Sequence, residues 1–359
     1  MTELNIHNTT SIISTTAKIE NQDHLKCGNF SLNEESLRVP LAFFYSLFFL
    51  LGLAGNVLAL GVFLRLHSKK NSMRVFLINL ALADLLLIIC LPFRVLYHVN
   101  DNFWSLHSVL CKIVGNVFYM NMYVSIILLG LISIDRYVKL QRVLSKQRFL
   151  SHTQSTVACC AIWVTAIIFI TPLIALGRDR TPSNMCFQYK HLYNAKWKAY
   201  LNITVLVGFW VVYGFLVTSY GKIAMRLLQI SKQKPEFPNA TKYSSTARKS
   251  FFVLFLFTLC FVPYHFVRIF YIYSQITDVS CRWVQIVDKT NEISLLLSAF
   301  NSCLDPVMYF VLCSSVRRTV LQALHKNICL KTCSRYRRPS YEKERSQKEQ
   351  ATQSETSTM

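Results

Sequence analysis

Charged residues are scarce in this sequence. Only 16% of the 359 residues are Asp, Glu, Lys or Arg, while 52% are hydrophobic and the mean hydropathy is +0.32. An average soluble domain has about 25% charged residues. The apolar residues form seven long blocks, and the first contains no charge and can cross a hydrocarbon layer of about 30 Å. The blocks are residues 39–64, 75–93, 112–134, 156–176, 199–221, 250–272 and 292–313.

Blocks of this length and regularity exclude a single soluble core. They predict an all-α membrane protein, with a bundle of seven transmembrane helices over residues 39–313. We expect a short amphipathic helix at the membrane surface over residues 314–326, followed by a disordered cytoplasmic tail over residues 327–359. The tail ends in SETSTM, whose hydroxyl residues suit phosphorylation.

Basic residues predict how the bundle is oriented. Lys and Arg cluster in the loops after the first, third and fifth blocks and after the seventh, and such clusters mark the cytoplasmic side. Residues 1–38 are therefore predicted to be extracellular, with Asn8 and Asn29 as glycosylation acceptors. The expected location is the plasma membrane. The net charge of +21 indicates contact with anionic lipid rather than nucleic acid.

The sequence also lacks the motifs of most catalytic and transport proteins. It has no metal-ligand spacing and no nucleophile–base motif, which argues against an enzyme. A seven-span transporter or channel is the alternative class. Such a protein would be expected to have internal repeats or charge-lined broken helices, and the sequence has neither.

Cysteines predict an oxidised outer surface. Pairing is expected outside the cell, and four cysteines permit three connectivities. The four on the predicted outer side are Cys27, Cys111, Cys186 and Cys281. Cys329 and Cys333, in the basic tail, are candidates for palmitoylation, although the unmodified state fits the sequence equally well.

The seventh block carries polar residues at positions where lipid would penalise them. Ionisable side chains inside membrane spans face the bundle interior and mark function. We therefore expect Asp305 to face other helices in a polar seam. The stripe recurs every three or four residues and consists of Asn291, Ser294, Ser298, Asn301, Asp305 and Tyr309.

A second carboxylate, Asp84, lies midway along the second span. Its expected partners are Asn56, Ser125 and Asn301. Two carboxylates near one seam repel if both are ionised, unless a cation lies between them or one of them is protonated. Oxygen ligands suit hard cations, so Asp84, Ser125, Asn301 and Asp305 predict a bound sodium ion and no other cofactor. A neutral hydrogen-bonded network is the alternative.

Two further features predict movement within the bundle. Asp135 and Arg136 stand in SIDRYVKL at the inner end of the third span, where Arg136 can pair with Asp135 or with a cytoplasmic protein. Pro263 and Pro306 each remove a helical hydrogen bond and are expected to kink the sixth and seventh helices. We expect the kink beside Asp305 to allow the hydrogen-bond partners of this carboxylate to change when the helix moves.

Together these features resemble the rhodopsin-like family of G-protein-coupled receptors, over residues 38–325. The resemblance implies disulfides between Cys111 and Cys186 and between Cys27 and Cys281. It rests on Gly55–Asn56, LALAD ending at Asp84, Cys111, DRY at 135–137, Trp163, FTLCFVP ending at Pro263, and NSCLDPVMY at 301–309.

The resemblance also implies partners on the cytoplasmic side. These are a heterotrimeric G protein, receptor kinases and arrestin. The residues implied in coupling and activation are Asp135, Arg136, Tyr137, Tyr220, Phe261, Pro263 and Tyr309.

Two departures from the family pattern narrow the resemblance. The family usually has Trp at the position of Phe261, and a Pro in the fifth helix, where residues 208–220 have none. Both departures recur in the branch that binds nucleotides and lysophospholipids, whose members couple mainly to inhibitory G proteins. Within it, the sequence is most similar to receptors for lysophosphatidylserine.

The outer half of the predicted bundle suits an anionic ligand. Arg94 lies about 15 Å outward of Asp84 along its helix, and Arg268 lies on the inward face of the sixth helix. Guanidinium groups bind phosphate bidentately, although each arginine can instead form a structural ion pair. Glu292 can bind the ammonium of a phosphoserine head group. The predicted ligand-binding residues are Arg94, Tyr119, Tyr123, Lys190, His265, Arg268, Tyr271, Asn291 and Glu292.

The sequence favours an anionic lysophospholipid over other classes of ligand. Amine receptors resemble one another in an Asp in the outer third helix, and residues 117–125 contain no carboxylate. A nucleotide or nucleotide sugar is the main alternative, but nucleotide-binding members resemble one another in a Lys at the position of Asn291. A peptide also fits, because a fold does not choose its ligand.

Overall fold

Seven long helices make up most of the described chain. The computed structural model describes residues 35–65, 72–141, 151–175, 186, 187, 189, 192, 195–233, 240–312, 316–319 and 321–322. The helices are α1 (Glu35–Arg65), α2 (Ser72–Val99), α3 (Ser108–Gln141), α4 (His152–Ala175), α5 (Lys196–Gln233), α6 (Ala240–Ile276) and α7 (Cys281–Leu312).

All seven helices are long and apolar enough to cross a membrane, which confirms the predicted fold class. They extend beyond the apolar blocks, because hydropathy detects the part of a helix that lies in lipid and not its polar ends. Residues 316–319 and 321–322 are helical, inside the segment predicted to form a membrane-surface helix. The predicted N-terminal region up to residue 34, and the tail from residue 323, lie outside the described residues.

Helix α3 packs against four of the other helices. Helix α1 contacts both α2 and α7, while α3 contacts α2, α4, α5 and α6. The interior is apolar, with Leu80, Leu87 and Leu128 almost completely buried. Large apolar side chains such as Phe169 and Val211 are exposed on the outer surface. A surface of this kind suits contact with lipid rather than water.

The contact of α1 with α7 explains the Gly–Asn pair in the first block. A Cβ on Gly55 would lie 2.7 Å from Pro306 Cγ, so a larger residue would collide with the proline ring. Pro306 has no N–H and cannot donate to the carbonyl of Ser302, four residues earlier. Asn56 Nδ2 donates to this carbonyl instead, at 2.8 Å, so α1 satisfies the backbone group that the proline leaves open.

A disulfide lies at one end of the bundle, and we call this end the disulfide end. Cys111, at the start of α3, is bonded to Cys186, with a Cα–Cα distance of 5.9 Å. Cys281 is also disulfide-bonded, and its predicted partner, Cys27, lies outside the described residues. Arg38 and Asp101 form an ion pair between α1 and the segment after α2.

Candidate ligand-binding site

The inward face of α6 builds one wall of a polar site near the disulfide end. Residues 261, 264, 265, 268 and 271 follow helical spacing. Phe261, Tyr264, His265 and Tyr271 are buried, and Arg268 is partly buried. Among the predicted site residues on this helix, Arg268 is the one with a fixed charge.

Arg268 lies among tyrosine rings. Its guanidinium carbon is 4.6 Å from the ring centre of Tyr271, 5.8 Å from that of Tyr119 and 5.9 Å from that of Tyr264. Its NH2 group donates a hydrogen bond of 3.2 Å to Oδ1 of Asn202 on α5. Three helices therefore converge on this guanidinium: α3, α5 and α6.

The positive charge of Arg268 has no carboxylate partner in the described part of the chain. Ring faces attract a cation, and the amide oxygen accepts a hydrogen bond, but neither neutralises the charge. A guanidinium remains protonated under all physiological conditions. The arrangement therefore suits an anion that approaches from the bundle cavity.

Arg94 on α2 has a different environment. Its NH1 lies 3.2 Å from Oε2 of Glu292 on α7, and the Arg94 side chain is 2% exposed against 19% for Glu292. The rings of Phe118 and Phe187 lie 4.6 and 4.4 Å from the guanidinium carbon. Arg94 is thus sealed and already neutralised. The structure adopts the ion pair that the sequence left as an alternative.

Two residues of the segment after α4, Phe187 and Tyr189, pack against the surroundings of the arginines. Phe187 follows the disulfide cysteine with a positive φ of 57°, and its ring also packs against Tyr97 and Trp104. Tyr189 donates a hydrogen bond of 3.0 Å to Ser274 Oγ, and its ring lies 5.4 Å from that of Tyr271. Burial raises the pKa of the Tyr189 phenol above its ordinary value, which keeps it a donor.

Other predicted ligand-binding residues take varied positions. His265 is fully buried against Phe209, with ring centres 3.5 Å apart, and its Nδ1 donates to the carbonyl of Phe261 at 2.8 Å. The Tyr123 ring lies 5.8 Å from that of His265. Asn291 is buried beside Glu292, and its Oδ1 has no hydrogen-bond partner among the described residues. Lys190 lies outside the described residues.

A second polar cluster lies in the middle of the bundle. Tyr309 OH is 3.5 Å from Oδ2 of Asp84, and Asn301 Nδ2 donates to Oδ2 of Asp305 at 2.8 Å. The carboxyl groups of Asp84 and Asp305 are neighbours, close enough for their charges to interact. Asn301 therefore bonds to Asp305, whereas the expected pairing was with Asp84. Asn56 was also expected beside Asp84, but its Nδ2 donates to the backbone carbonyls of Gly52 and Ser302.

This cluster contains buried oxygens that suit a cation. Asp84 Oδ1, Ser125 Oγ and Asn301 Oδ1 are buried and have no hydrogen-bond partner among the described residues. Oxygen donors of this kind fit a hard cation such as sodium. Asn121 Oδ1, one helical turn from Ser125, has the same property and was missed from the sequence. Its polar side chain within an apolar helix was the available signal.

The residues implied in coupling and activation lie at several depths, with Asp135 and Tyr220 toward the end opposite the disulfide. Asp135 on α3 is 1% exposed, while the side chain of Arg136 lies outside the described residues. Tyr220 on α5 is buried with its ring 6.0 Å from that of Phe251. Pro263 lies within the continuous α6, near Ser298 on α7, whose Oγ donates to the Cys260 carbonyl at 3.1 Å.

Two further residues of the ligand site, Asn202 and Phe187, are not predicted by the sequence. Asn202 stands in an N-x-T motif on α5, and nothing in that motif indicates a partner of Arg268. Phe187 carried no signal beyond its position next to Cys186. Both contacts depend on how distant segments meet, which helical spacing alone does not predict.

Comparison with known proteins identifies the family. A family model described as "7 transmembrane receptor (rhodopsin family)" matches residues 55–309. The chain is 50% identical to "Probable G-protein coupled receptor 34" of Mus musculus over 297 residues, covering 82% of this chain and 79% of the relative.

Two more distant relatives are named for ligands. The chain is 33% identical over 298 residues to a purinoceptor of Bos taurus, covering 82% of this chain and 87% of the relative. It is 31% identical over 300 residues to the "Uracil nucleotide/cysteinyl leukotriene receptor" of Homo sapiens, covering 83% and 79%. The chain belongs to the rhodopsin family of seven-transmembrane receptors, multi-pass proteins of the plasma membrane that bind small molecules and couple to G proteins.

Proposed function

We propose that this protein is a receptor for an anionic lysophospholipid, lysophosphatidylserine, and that it signals mainly through inhibitory G proteins. The disulfide end faces the outside of the cell in this proposal. The basic loops after the first, third and fifth apolar blocks support that orientation, since they lie at the opposite end of the bundle. Asn8 and Asn29 would then be accessible to glycosylation.

The observation that carries the proposal is the uncompensated charge of Arg268. A partly buried guanidinium without a carboxylate gains most from a ligand that brings its own anion. Phenol groups of Tyr119, Tyr264 and Tyr271 surround it and can donate further hydrogen bonds. A phosphodiester fits this set of donors.

The serine head group also carries an ammonium. Glu292 is the more exposed member of its ion pair, at 19% against 2% for Arg94, so a cation can approach its carboxylate. Arg94 then has a supporting role: its ion pair holds the Glu292 carboxylate in place, and Arg94 does not bind phosphate itself. The absence of a Lys at Asn291 favours this zwitterionic head group over a nucleotide.

A nucleotide or nucleotide sugar is the second candidate. One relative is named as a purinoceptor and another for a uracil nucleotide. The tyrosine rings around Arg268 offer surfaces on which a base can stack. A nucleotide has no ammonium for Glu292, and this difference allows the two candidates to be separated.

Activation is proposed to pass along α6. A ligand held by Arg268 bears on the part of α6 toward the disulfide end, and Pro263 separates this part from the coupling end. The Ser298–Cys260 hydrogen bond ties α7 to α6 next to this proline. Movement there would reach Tyr220 and the Asp135 region, where the G protein binds. Kinases and arrestin would act on the tail.

G-protein activation in cells tests the ligand. Cells expressing the receptor are challenged separately with lysophosphatidylserine, a lysophospholipid without the serine amine, a nucleoside diphosphate and a nucleotide sugar. We expect lysophosphatidylserine to activate with the highest potency. Arg268→Ala should weaken its potency about ten- to a hundredfold at matched surface expression. Arg282→Ala, which removes an exposed arginine of α7, is the matched control.

Two outcomes would contradict the proposal. A response to nucleotides alone would favour the second candidate. An Arg268→Ala receptor that reaches the surface and responds like the parent would show that the head group binds elsewhere.

We further propose that sodium binds between Asp84, Ser125, Asn301 and Asp305. Bound sodium would supply the positive charge that two neighbouring carboxylates lack. Raising the sodium concentration should then weaken agonist binding in the parent receptor and leave the Asp84→Asn variant unaffected. Asp278→Asn, at an exposed carboxylate, should behave like the parent. An unchanged sodium response in Asp84→Asn would refute the site.

A further inference from the structure

Asn202 on α5 makes two hydrogen bonds that fix the direction of its side chain. Its Nδ2 donates to the carbonyl of Lys198 at 2.8 Å, one turn earlier on the same helix. Its Oδ1 accepts from NH2 of Arg268 at 3.2 Å. A carboxamide has one accepting and one donating end, so these partners leave a single orientation for the group.

This hydrogen bond is the directional contact of Arg268 in the described part of the chain. The tyrosine rings lie 4.6–5.9 Å from the guanidinium carbon and attract its charge, but a ring face does not select which N–H points where. The carboxamide oxygen does select a direction, because it fixes one of the five N–H bonds of the planar guanidinium. The remaining N–H groups are then directed by the same bond.

We propose that Asn202 is a positioning residue for the ligand's anion, and that it holds the Arg268 guanidinium in the plane in which a phosphate or carboxylate can bind it. Asn202 also gives Arg268 a partner without charge. A carboxylate at the same place would fill the role of the ligand's anion and compete with it. This inference rests on the proposed function, because it assigns Arg268 to the head group.

The N-x-T motif at Asn202 gives the inference a matched control. Asn202, Ile203 and Thr204 form a glycosylation acceptor sequence, but the Nδ2 that would carry a glycan is bonded within α5. The Thr204 hydroxyl donates to the Tyr200 carbonyl at 2.9 Å and is exposed. Thr204→Ala therefore destroys the acceptor sequence and leaves the Asn202–Arg268 contact intact.

Substitutions at Asn202 separate positioning from packing. Asp has nearly the same shape as Asn, so a residue that only fills space should tolerate Asn202→Asp better than Asn202→Ala. A residue that positions Arg268 should do the reverse, because Asp forms an ion pair that occupies the guanidinium. The expected loss of lysophosphatidylserine potency is about a hundredfold for Asn202→Asp and about tenfold for Asn202→Ala. Thr204→Ala should change potency by less than about twofold.

The experiment measures agonist-driven G-protein activation in cells, at matched surface expression, with Arg268→Ala and the Asn202→Ala/Arg268→Ala double variant included. If Asn202 acts through Arg268, the double variant should be no weaker than Arg268→Ala alone. If Asn202→Asp fails to reach the surface, this comparison of the single and double variants is sufficient to test the inference. Fully additive losses, or a milder loss for Asn202→Asp than for Asn202→Ala, would overturn the inference.

The remaining outcomes are also decisive. A loss for Thr204→Ala equal to that of Asn202→Ala would assign the effect to a glycan and overturn the inference. Asn202 variants that respond like the parent, beside a weakened Arg268→Ala, would remove Asn202 and leave the proposed function standing. An unaffected Arg268→Ala receptor would instead contradict the proposed function itself.

Discussion

Two arginines lie near the disulfide end of the bundle, and they differ in what surrounds them. Arg94 is sealed between aromatic rings and paired with Glu292 at 3.2 Å. Arg268 is partly buried, surrounded by tyrosines, and has Asn202 rather than a carboxylate as its hydrogen-bond partner. The same residue type therefore serves the fold in one place and is available to a ligand in the other.

The two arginines differ in whether a carboxylate neutralises their charge. Removing one partner of a buried ion pair leaves the other charge without a partner, which is costly. Removing an uncompensated cation leaves no such charge behind. In the sequence both arginines look alike, as single basic residues in apolar helices. Substitution should distinguish them, because it should lower the free energy of unfolding far more at Arg94 than at Arg268.

The largest effect is expected from Arg94→Ala. It leaves the Glu292 carboxylate without its partner and opens space between Tyr45, Phe118 and Phe187. Breaking a buried pair in this way costs about 3–5 kcal/mol of unfolding free energy. Thermal unfolding of the purified receptor and surface expression in cells should both fall sharply, whereas Arg268→Ala should be far milder. Equal losses for the two variants would break the distinction between them.

Glu292→Gln tests the same pair from its other side. The amide still accepts a hydrogen bond from Arg94, but no longer neutralises it, so we expect a loss of about 1–3 kcal/mol of unfolding free energy. The variant should also weaken the response to lysophosphatidylserine more than to a lysophospholipid without the serine amine. The ratio of the two potencies checks this, and it should stay constant if Glu292 serves the fold alone.

The sequence predicts features formed by residues close together along the chain better than contacts between residues far apart in the chain. The seven helices were predictable, because lipid requires long apolar segments with their backbone bonds satisfied internally. The inward stripe of α6 was predictable as well, since helical periodicity places Tyr264, Arg268 and Tyr271 together. The fold class and the α6 wall of the site thus follow from local pattern.

Contacts between distant helices were not predictable in the same way. Arg94 and Glu292 are 198 positions apart, and Arg268 and Asn202 are 66 apart. Which partner each arginine meets depends on the rotation and depth of the helices that carry them, and a single sequence does not specify these. The sequence accordingly left the ion pair of Arg94 as an alternative to a role in binding phosphate.

A smaller effect is expected at Tyr189, whose ring packs against Tyr271 beside Arg268. Tyr189→Phe removes the hydrogen bond to Ser274 while keeping the ring contact with Tyr271. The loss of one neutral hydrogen bond is worth about 0.5–1.5 kcal/mol, or roughly two- to tenfold in agonist potency. Tyr273→Phe, at an exposed tyrosine of α6, should leave the dose–response curve unchanged. A larger shift in the control would assign the effect to α6 rather than to Tyr189.

The smallest expected change in stability, and the sharpest test of the comparison, is Arg268→Met. Methionine keeps the length and apolar contacts of the side chain among Tyr119, Tyr264 and Tyr271, and removes a charge that no carboxylate in the described chain compensates. Replacing buried charge with apolar volume is often neutral or stabilising. Without ligand, thermal unfolding of Arg268→Met should therefore match the parent within about 1 kcal/mol, or show greater stability, while agonist potency is lost. Arg94→Met should still destabilise, because Glu292 remains. If Arg268→Met is destabilised as strongly as Arg94→Met, then Arg268 is a structural residue like Arg94, and its charge is not held in readiness for a ligand.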